Sequence, residues 1–308
     1  MSKLTTWLAC GLVAFALAAG GAFLDRLLGT TALFTLAGCA LGALYLVGTF
    51  GATTPVFGRV ARVRDEPGRL ALTFDDGPDP QFTPEISRLL AERGHRATFF
   101  VLGSHASEHP QVLRQIVADG HELASHGFDH GLLAFRLPRQ VRAQLRATEH
   151  AVVAATASPP VHLFRAPHGV RSPWLGRTVA RAGYRLCGWT GRIFDTANPG
   201  VSTIVDRARR QLRPGATLLL HDADGSGHGD DRRQTVEALP AILDEADRLG
   251  LRSVWLSSLL EPTALSVLDL APLGSRGDSG GTHVGPAPQS GDGEPFASEE
   301  QQAQAHSD

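Results

Sequence analysis

Seven short apolar runs, separated by longer amphipathic stretches, occupy residues 69 to 260 and constrain the fold more than any other feature of the chain. They read "RLALTFD", "RATFFVLG", "HELASH", "HLFRAPHG", "YRLCGWT", "ATLLLHD" and "LRSVWLS". Several are dense in β-branched or aromatic residues, as strands buried on both faces are. The stretches between them carry helix punctuation. In "TPEISRLLAERG", Thr83 is placed as N-cap, Pro84 at the first helical position and Gly94 as the stop. "HPQVLRQIVADG" and "TVEALPAILDEADRLG" read the same way, with Pro240 expected to bend or restart the second. Strands separated by helices return in parallel, because only a long crossover can bring the chain back to the same end. The expected core is a parallel sheet covered by helices, open or closed into a barrel.

The flanks differ from this core. Residues 4–24 and 27–50 are each uncharged and close to the roughly 20 residues that a helix needs to cross a bilayer core. Two transmembrane helices are expected there, within a membrane segment of residues 1–58. The protein would then be integral to a bacterial-type inner or plasma membrane. A cleavable signal peptide is the rival reading, since "ALA" at 16–18 resembles a cleavage site. The second apolar segment and the single n-region lysine, Lys3, speak against it. Lys3, Arg59, Arg62, Arg64 and Arg69 flank the spans on one side and Arg26 alone on the other. That small count favours a cytoplasmic domain and leaves its side of the membrane open. Residues 59–265 are expected to form the folded domain. Residues 266–308, rich in Gly, Ser, Pro and Gln with Phe296 as their only aromatic, are expected to be a disordered tail.

With 29 basic against 31 acidic residues, the chain lacks the clustered positive charge of a nucleic-acid binder. The basic run "RARRQLR" reads as a solvated helix face. Cys10, Cys39 and Cys187 are too scattered for a disulfide framework or a cysteine metal site.

In alternating strand–helix folds, chemistry collects where strands end and loops begin. Here five strand ends each deliver titratable groups. The first ends in Asp75 and Asp76, the third in "SHGFDH" with His126 and His130, and the fourth in "FRAPHG" with Arg165. Asp195 follows the fifth in "GWTGRIFDT", and His221 ends the sixth in "LLLHD". Each has a plain structural reading: aspartates form turns and caps, loop histidines face water, and an arginine balances acids. Asp195 could cap the helix beginning near Pro199. His221 is harder to dismiss, because an exposed residue rarely needs so buried an approach. Together they are expected to meet. Two histidines four apart and one carboxylate from another strand make a three-ligand site with a vacancy, as a catalytic zinc is held. The second carboxylate is then free to act on water as general base, aimed by Arg165. His221, oriented by a partner such as Asp195, is the candidate to protonate a departing amine. "HELASH" is not the zinc-protease motif, since its histidines are five apart.

"TFDDGP", "SHGFDH", "FRAPHG", "GWTGRIFDT" and "LLLHD", in this order, resemble the five motifs of polysaccharide deacetylases of the nodulation-protein (NodB-homology) type, carbohydrate esterase family four. The resemblance covers about residues 69–260. It implies a distorted (β/α)7 barrel and metal-dependent removal of acetyl from N-acetylated sugars, a hydrolysis of a linear amide. By position, Asp75 resembles the general base, and Asp76, His126 and His130 the ligands of a divalent metal, zinc before cobalt or manganese. Arg165 resembles the residue that fixes the base, His221 the general acid, and Asp195 the carboxylate that orients it. The backbone N–H of His168 would lie near the tetrahedral oxyanion, and Leu219 would wall the acetyl pocket. The family's Ser or Thr after the first metal histidine is Gly127 here, and its aromatic in the arginine motif is His168. In the fourth motif its acid is Arg192 and its tryptophan is Thr196. One face of the substrate groove is therefore rebuilt. The implied partner is an N-acetylated glycan. A lipid-linked amino sugar losing acetyl or formyl at a membrane surface is the alternative, and an inactive sugar-binding barrel is the alternative of another class.

Overall fold

The computed structural model describes residues 15–21, 23, 31–225 and 231–262. Its strands are β1 (Arg69–Asp75), β2 (Ala97–Val101), β3 (Glu122–Ser125), β4 (Leu163–Phe164), β5 (Arg185–Leu186), β6 (Gly191–Arg192), β7 (Thr217–His221) and β8 (Arg252–Ser253). They form one sheet in the order β5-β4-β3-β2-β1-β7-β6, with β8 against the start of β1, and the pairings are parallel. β5 and β6 lie at opposite ends of that order, yet residues 187–190 alone separate them in the chain. The covalent chain therefore crosses the gap that no hydrogen-bonded rung closes. This parallel order fits the expected (β/α)7 arrangement in distorted form.

Period-two alternation sorts each strand between two environments. On β1, Leu70, Leu72 and Phe74 join the large outer core with Ile86, Leu90, Ile116, Ile242 and Leu243 of the covering helices. Each such side chain contributes about 1.5–3 kcal/mol when fully buried. Ala71 instead packs inward with Phe100, Ala124 and Leu163. Thr73 and Asp75 share that inward parity, as do Glu122 and Ala124 with His126, Leu163 with Arg165, and Thr217 and Leu219 with His221. The apolar residues that hold the sheet thus also fix which polar residues enter the interior. β8 meets β1 near its start, and there Ser253 supplies a side-chain rung. Its hydroxyl accepts from Leu72 N at 2.9 Å and donates to Arg96 O at 2.7 Å.

Three local expectations change. "YRLCGWT" holds only β5, and β6 follows it after a break. The Gly188 carbonyl turns aside there to accept from Arg165 Nη2 at 3.1 Å. Thr83 does not cap the helix Thr83–Glu92: its hydroxyl donates to Asp222 Oδ2 at 2.6 Å, and Asp79 Oδ1 accepts from Gln81 N and Phe82 N instead. Pro240 lies inside one helix, Arg233–Arg248, rather than restarting it.

The transmembrane expectation is corrected. Among the described residues, no helix is long and apolar enough to cross a membrane. Residues 4–14, 22 and 24 of the first expected span, and 27–30 of the second, lie outside the described residues. The second span contains the helix Thr31–Phe50, whose last turn is committed to the domain. Gly48 and Thr49 are buried, Tyr45 packs edge-on against Phe57 with centroids 5.3 Å apart, and Thr49 O accepts from Arg171 N at 3.1 Å. The Arg171 guanidinium closes the junction by donating to the carbonyls of Gly51 and Thr54. What remains of the helix falls short of the roughly 20 residues a span needs. The expectation of an integral membrane protein is corrected with it, and the lipid-linked alternative loses the two spans as a motive while the altered groove remains. The expected tail, residues 266–308, lies outside the described residues.

Candidate active site

Adjacent residues of a strand point to opposite faces, so Asp75 and Asp76 should not share a cleft. The turn after β1 brings them together. Asp76 adopts a left-handed backbone, φ 79°, and Gly77 follows where an added Cβ would collide with the Asp222 carboxylate. His105 Nδ1 lies 2.8 Å from the Asp76 carbonyl and steadies this turn from the helix Gly103–Glu108.

Asp76 Oδ1 lies 3.1 Å from His130 Nε2 and 3.3 Å from His126 Nε2. One donor atom from each of the three residues lies within 4.8 Å of the others. Asp76 Oδ1 is buried and accepts no well-formed hydrogen bond, although two imidazole nitrogens face it. That is the arrangement of ligands awaiting a shared cation rather than of a closed hydrogen-bond network. Two nitrogens and one carboxylate oxygen suit a divalent metal of the zinc type. Burial alone would raise the Asp76 carboxyl, but the two histidines outweigh it and hold the group well below the usual range. His130 is raised against its own desolvation, chiefly by Asp76.

Two further carboxylates are each held by a nitrogen base. Arg165 is completely buried, its guanidinium 4.1 Å from the centroid of Phe100. Its Nη1 donates to Asp75 Oδ1 at 2.6 Å and to Thr73 Oγ1 at 2.9 Å. Thr73 in turn donates to Leu218 O at 2.7 Å, which ties the arginine to β7. Asp75 Oδ2 faces the histidines instead, 3.8 Å from His126 Nε2. The second pair is Asp195 with His221. Asp195 Oδ1 lies 2.9 Å from His221 Nδ1, while Oδ2 accepts from His221 N at 2.8 Å and from Thr235 Oγ1 at 3.0 Å. Burial pushes the His221 imidazolium toward losing its proton, and the Asp195 charge more than reverses this, raising it to about 9. Asp195 is lowered despite its burial, by the same imidazole and its hydrogen bonds.

Asp75, Asp76, His126, His130 and His221 line one cleft of about 280 Å³, together with His168, Gly169, Trp189, Arg192, Thr196, Leu219, Asp224, Gly225 and Arg232. Arg165 and Asp195 lie behind its walls, completely buried. Leu219 is apolar and inward-facing, one turn of the β alternation before His221. His168 has a left-handed backbone, φ 57°, and its ring lies 4.2 Å from that of His130, centroid to centroid. A cleft of similar size beyond Trp189, lined in part by Val60, Arg62, Cys187 and Leu260, contains none of the converging carboxylates and histidines.

Sequence reasoning did not single out Thr73, Thr235, Trp189 or Asp222. Asp222 is buried beside His221, donates its backbone N–H to Asp75 O at 3.3 Å and is raised to about 7, chiefly by burial. An aspartate directly after "LLLH" was the signal for it. Thr73 and Thr235 act through partners on other strands and helices and left no local signal.

The family described as polysaccharide deacetylase matches residues 62–187. A chitooligosaccharide deacetylase of Sinorhizobium fredii is 40% identical over 177 residues, covering 56% of this chain and 82% of the relative. A peptidoglycan-N-acetylglucosamine deacetylase of Bacillus cereus is 35% identical over 193 residues, 62% of this chain and 87% of the relative. Among solved structures, a family 4 carbohydrate esterase from Streptomyces lividans in complex with acetate superposes with a TM-score of 0.56 at 28% identity, covering 64% of this chain and 97% of that one.

Proposed function

The chain belongs to the polysaccharide deacetylases of the nodulation-protein type, carbohydrate esterase family four, and from this we propose that it hydrolyses the N-acetyl amide of N-acetylhexosamine units in a poly- or oligosaccharide. The relatives named for chitooligosaccharide and for peptidoglycan N-acetylglucosamine support that substrate class. The observation that carries the reading is the meeting, in one cleft, of a three-donor cluster with two differently partnered carboxylates.

Asp76, His126 and His130 would hold the divalent cation, and zinc is the ion their donor set suits best. When bound, such an ion supplies Lewis-acid polarisation of the amide carbonyl and of water. Asp75, fixed by Arg165 through Oδ1, keeps Oδ2 on the cleft side to take a proton from the attacking water. His221, its Nδ1 directed at Asp195, keeps the proton on its other nitrogen for the departing amine. Leu219 packs against the acetyl methyl, and the His168 N–H donates to the oxygen that gains charge. Water and amide become acetate and a free amino sugar.

The test is acetate release by the full chain from N-acetylglucosamine oligomers with zinc, cobalt or manganese supplied in turn. The expected result is release that a chelator stops and added metal restores. Absence of release with all three ions would contradict the proposal.

A further inference from the structure

Arg192 is the feature of this cleft that hydrolysis of a neutral amide leaves unexplained. It lies on β6 in register with Leu219, so its backbone is one strand spacing, about 4.8 Å, from the wall assigned to the acetyl group. Its side chain is exposed and lines the same cleft as Asp75, Asp76 and His221. The guanidinium carbon sits 4.7 Å from the Phe194 ring centroid and 5.7 Å from that of Trp189. Among the described residues, no carboxylate lies within 4.0 Å of it. The other charged groups at the rim, Asp224 and Arg232, have contacts of their own.

The support beneath Arg192 is elaborate for a solvated side chain. Gln211 Nε2 donates to its carbonyl at 3.1 Å. Phe194 has a left-handed backbone, φ 59°, which a bulky residue adopts only when its surroundings enforce it. Arg207 Nη1 enforces it by donating to Ile193 O at 3.1 Å and to Phe194 O at 3.3 Å. Neither ring offers the guanidinium a conventional hydrogen-bond acceptor, so its N–H edges stay available to a ligand. Those edges form a planar fork that matches a carboxylate with two parallel hydrogen bonds. Because the fork is already oriented, binding sacrifices little side-chain freedom.

We infer that Arg192 recognises a carboxylate on the glycan beside the acetamido group that is removed, so that the preferred substrate is an anionic N-acetylhexosamine oligomer or polymer. The inference rests on the deacetylase reading and adds its substrate class. The carboxylate can come from a lactyl ether on the neighbouring hexosamine or from a neighbouring uronic acid, and the two differ in reach.

Three tetramers separate these cases: N-acetylglucosamine throughout, N-acetylglucosamine alternating with its 3-O-lactyl derivative, and N-acetylglucosamine alternating with glucuronic acid. Acetate release by the zinc-loaded full chain gives kcat/KM for each. The expected result is a preference of about five- to tenfold for one carboxylate tetramer over the neutral one, carried mainly in KM and shrinking as salt is raised. Arg192→Gln is expected to bring that ratio to within about twofold of one, and Arg192→Lys to restore part of it. Equal rates on all three tetramers, or a preference that survives Arg192→Gln, overturns the inference while leaving the deacetylase reading standing. If no tetramer is hydrolysed, the deacetylase reading fails, and calorimetric titration with the same three ligands still decides whether Arg192 selects the carboxylate.

Discussion

The two walls of the cleft carry pairs that look alike on paper, a buried carboxylate against a nitrogen base, yet they leave opposite members free. On the β1 side Asp75 meets Arg165, whose guanidinium donates hydrogen bonds and accepts none. The arginine donates to Asp75, Thr73 and Gly188, so the atom proposed to take the proton is the remaining carboxylate oxygen. On the β7 side both oxygens of Asp195 are engaged, by the His221 ring, the His221 amide and Thr235. There the imidazole is left to work. In the proposed reaction the partner, not the carboxylate, decides which side of the cleft takes a proton and which gives one.

Breaking the shared frame should have the largest effect. Asp76→Asn or His126→Ala removes a donor common to both walls, and acetate release should fall to the level without enzyme. Next is the β1 wall: Asp75→Asn should lower kcat by about 10²- to 10⁴-fold, the range of a lost proton handler, measured at saturating glycan. On the β7 wall Asp195→Asn should give a smaller loss with a distinct signature. Burial lowers His221 and Asp195 more than offsets it, to about 9 before any cation is bound, so the protonated acid persists below its raised value and turnover falls as pH rises past it. A cation nearby pushes the limb to lower pH, and removing the Asp195 charge pushes it further. The alkaline limb of a pH–rate profile should therefore move to lower pH in Asp195→Asn, and an unmoved limb would count against His221 as the acid. The smallest effect is expected for Thr73→Val, which costs Arg165 one acceptor and Leu218 O one donor. Denaturant unfolding should show a loss of about 1–3 kcal/mol, with turnover reduced less than in the other variants.

The sheet was legible because its apolar runs are short, regularly spaced and interrupted by helix punctuation. The converging residues were legible because each stands at the end of such a run. What escaped depends on contacts between distant segments. At the break, the Gly188 carbonyl accepts from Arg165, and nothing in "YRLCGWT" announces that. Thr83 resembles a cap until Asp222, 139 residues away, takes its hydroxyl. The apolar stretch 27–50 resembles a membrane span by composition, while Gly48 and Thr49 in its last turn are buried and Thr49 is pinned through Arg171. Left-handed Asp76 was equally hidden, since strand alternation alone would send it away from Asp75.

The neighbouring carboxylates at 75 and 76 allow the most direct measurement. Equilibrium zinc content of Asp75→Asn and Asp76→Asn, determined beside the unmodified chain, separates proton transfer from metal holding. Asp75→Asn is expected to keep about one ion per chain while losing turnover, and Asp76→Asn to lose both. An Asp76→Asn protein that still bound zinc like the unmodified chain, or an Asp75→Asn protein that turned over normally, would contradict the division of labour between them.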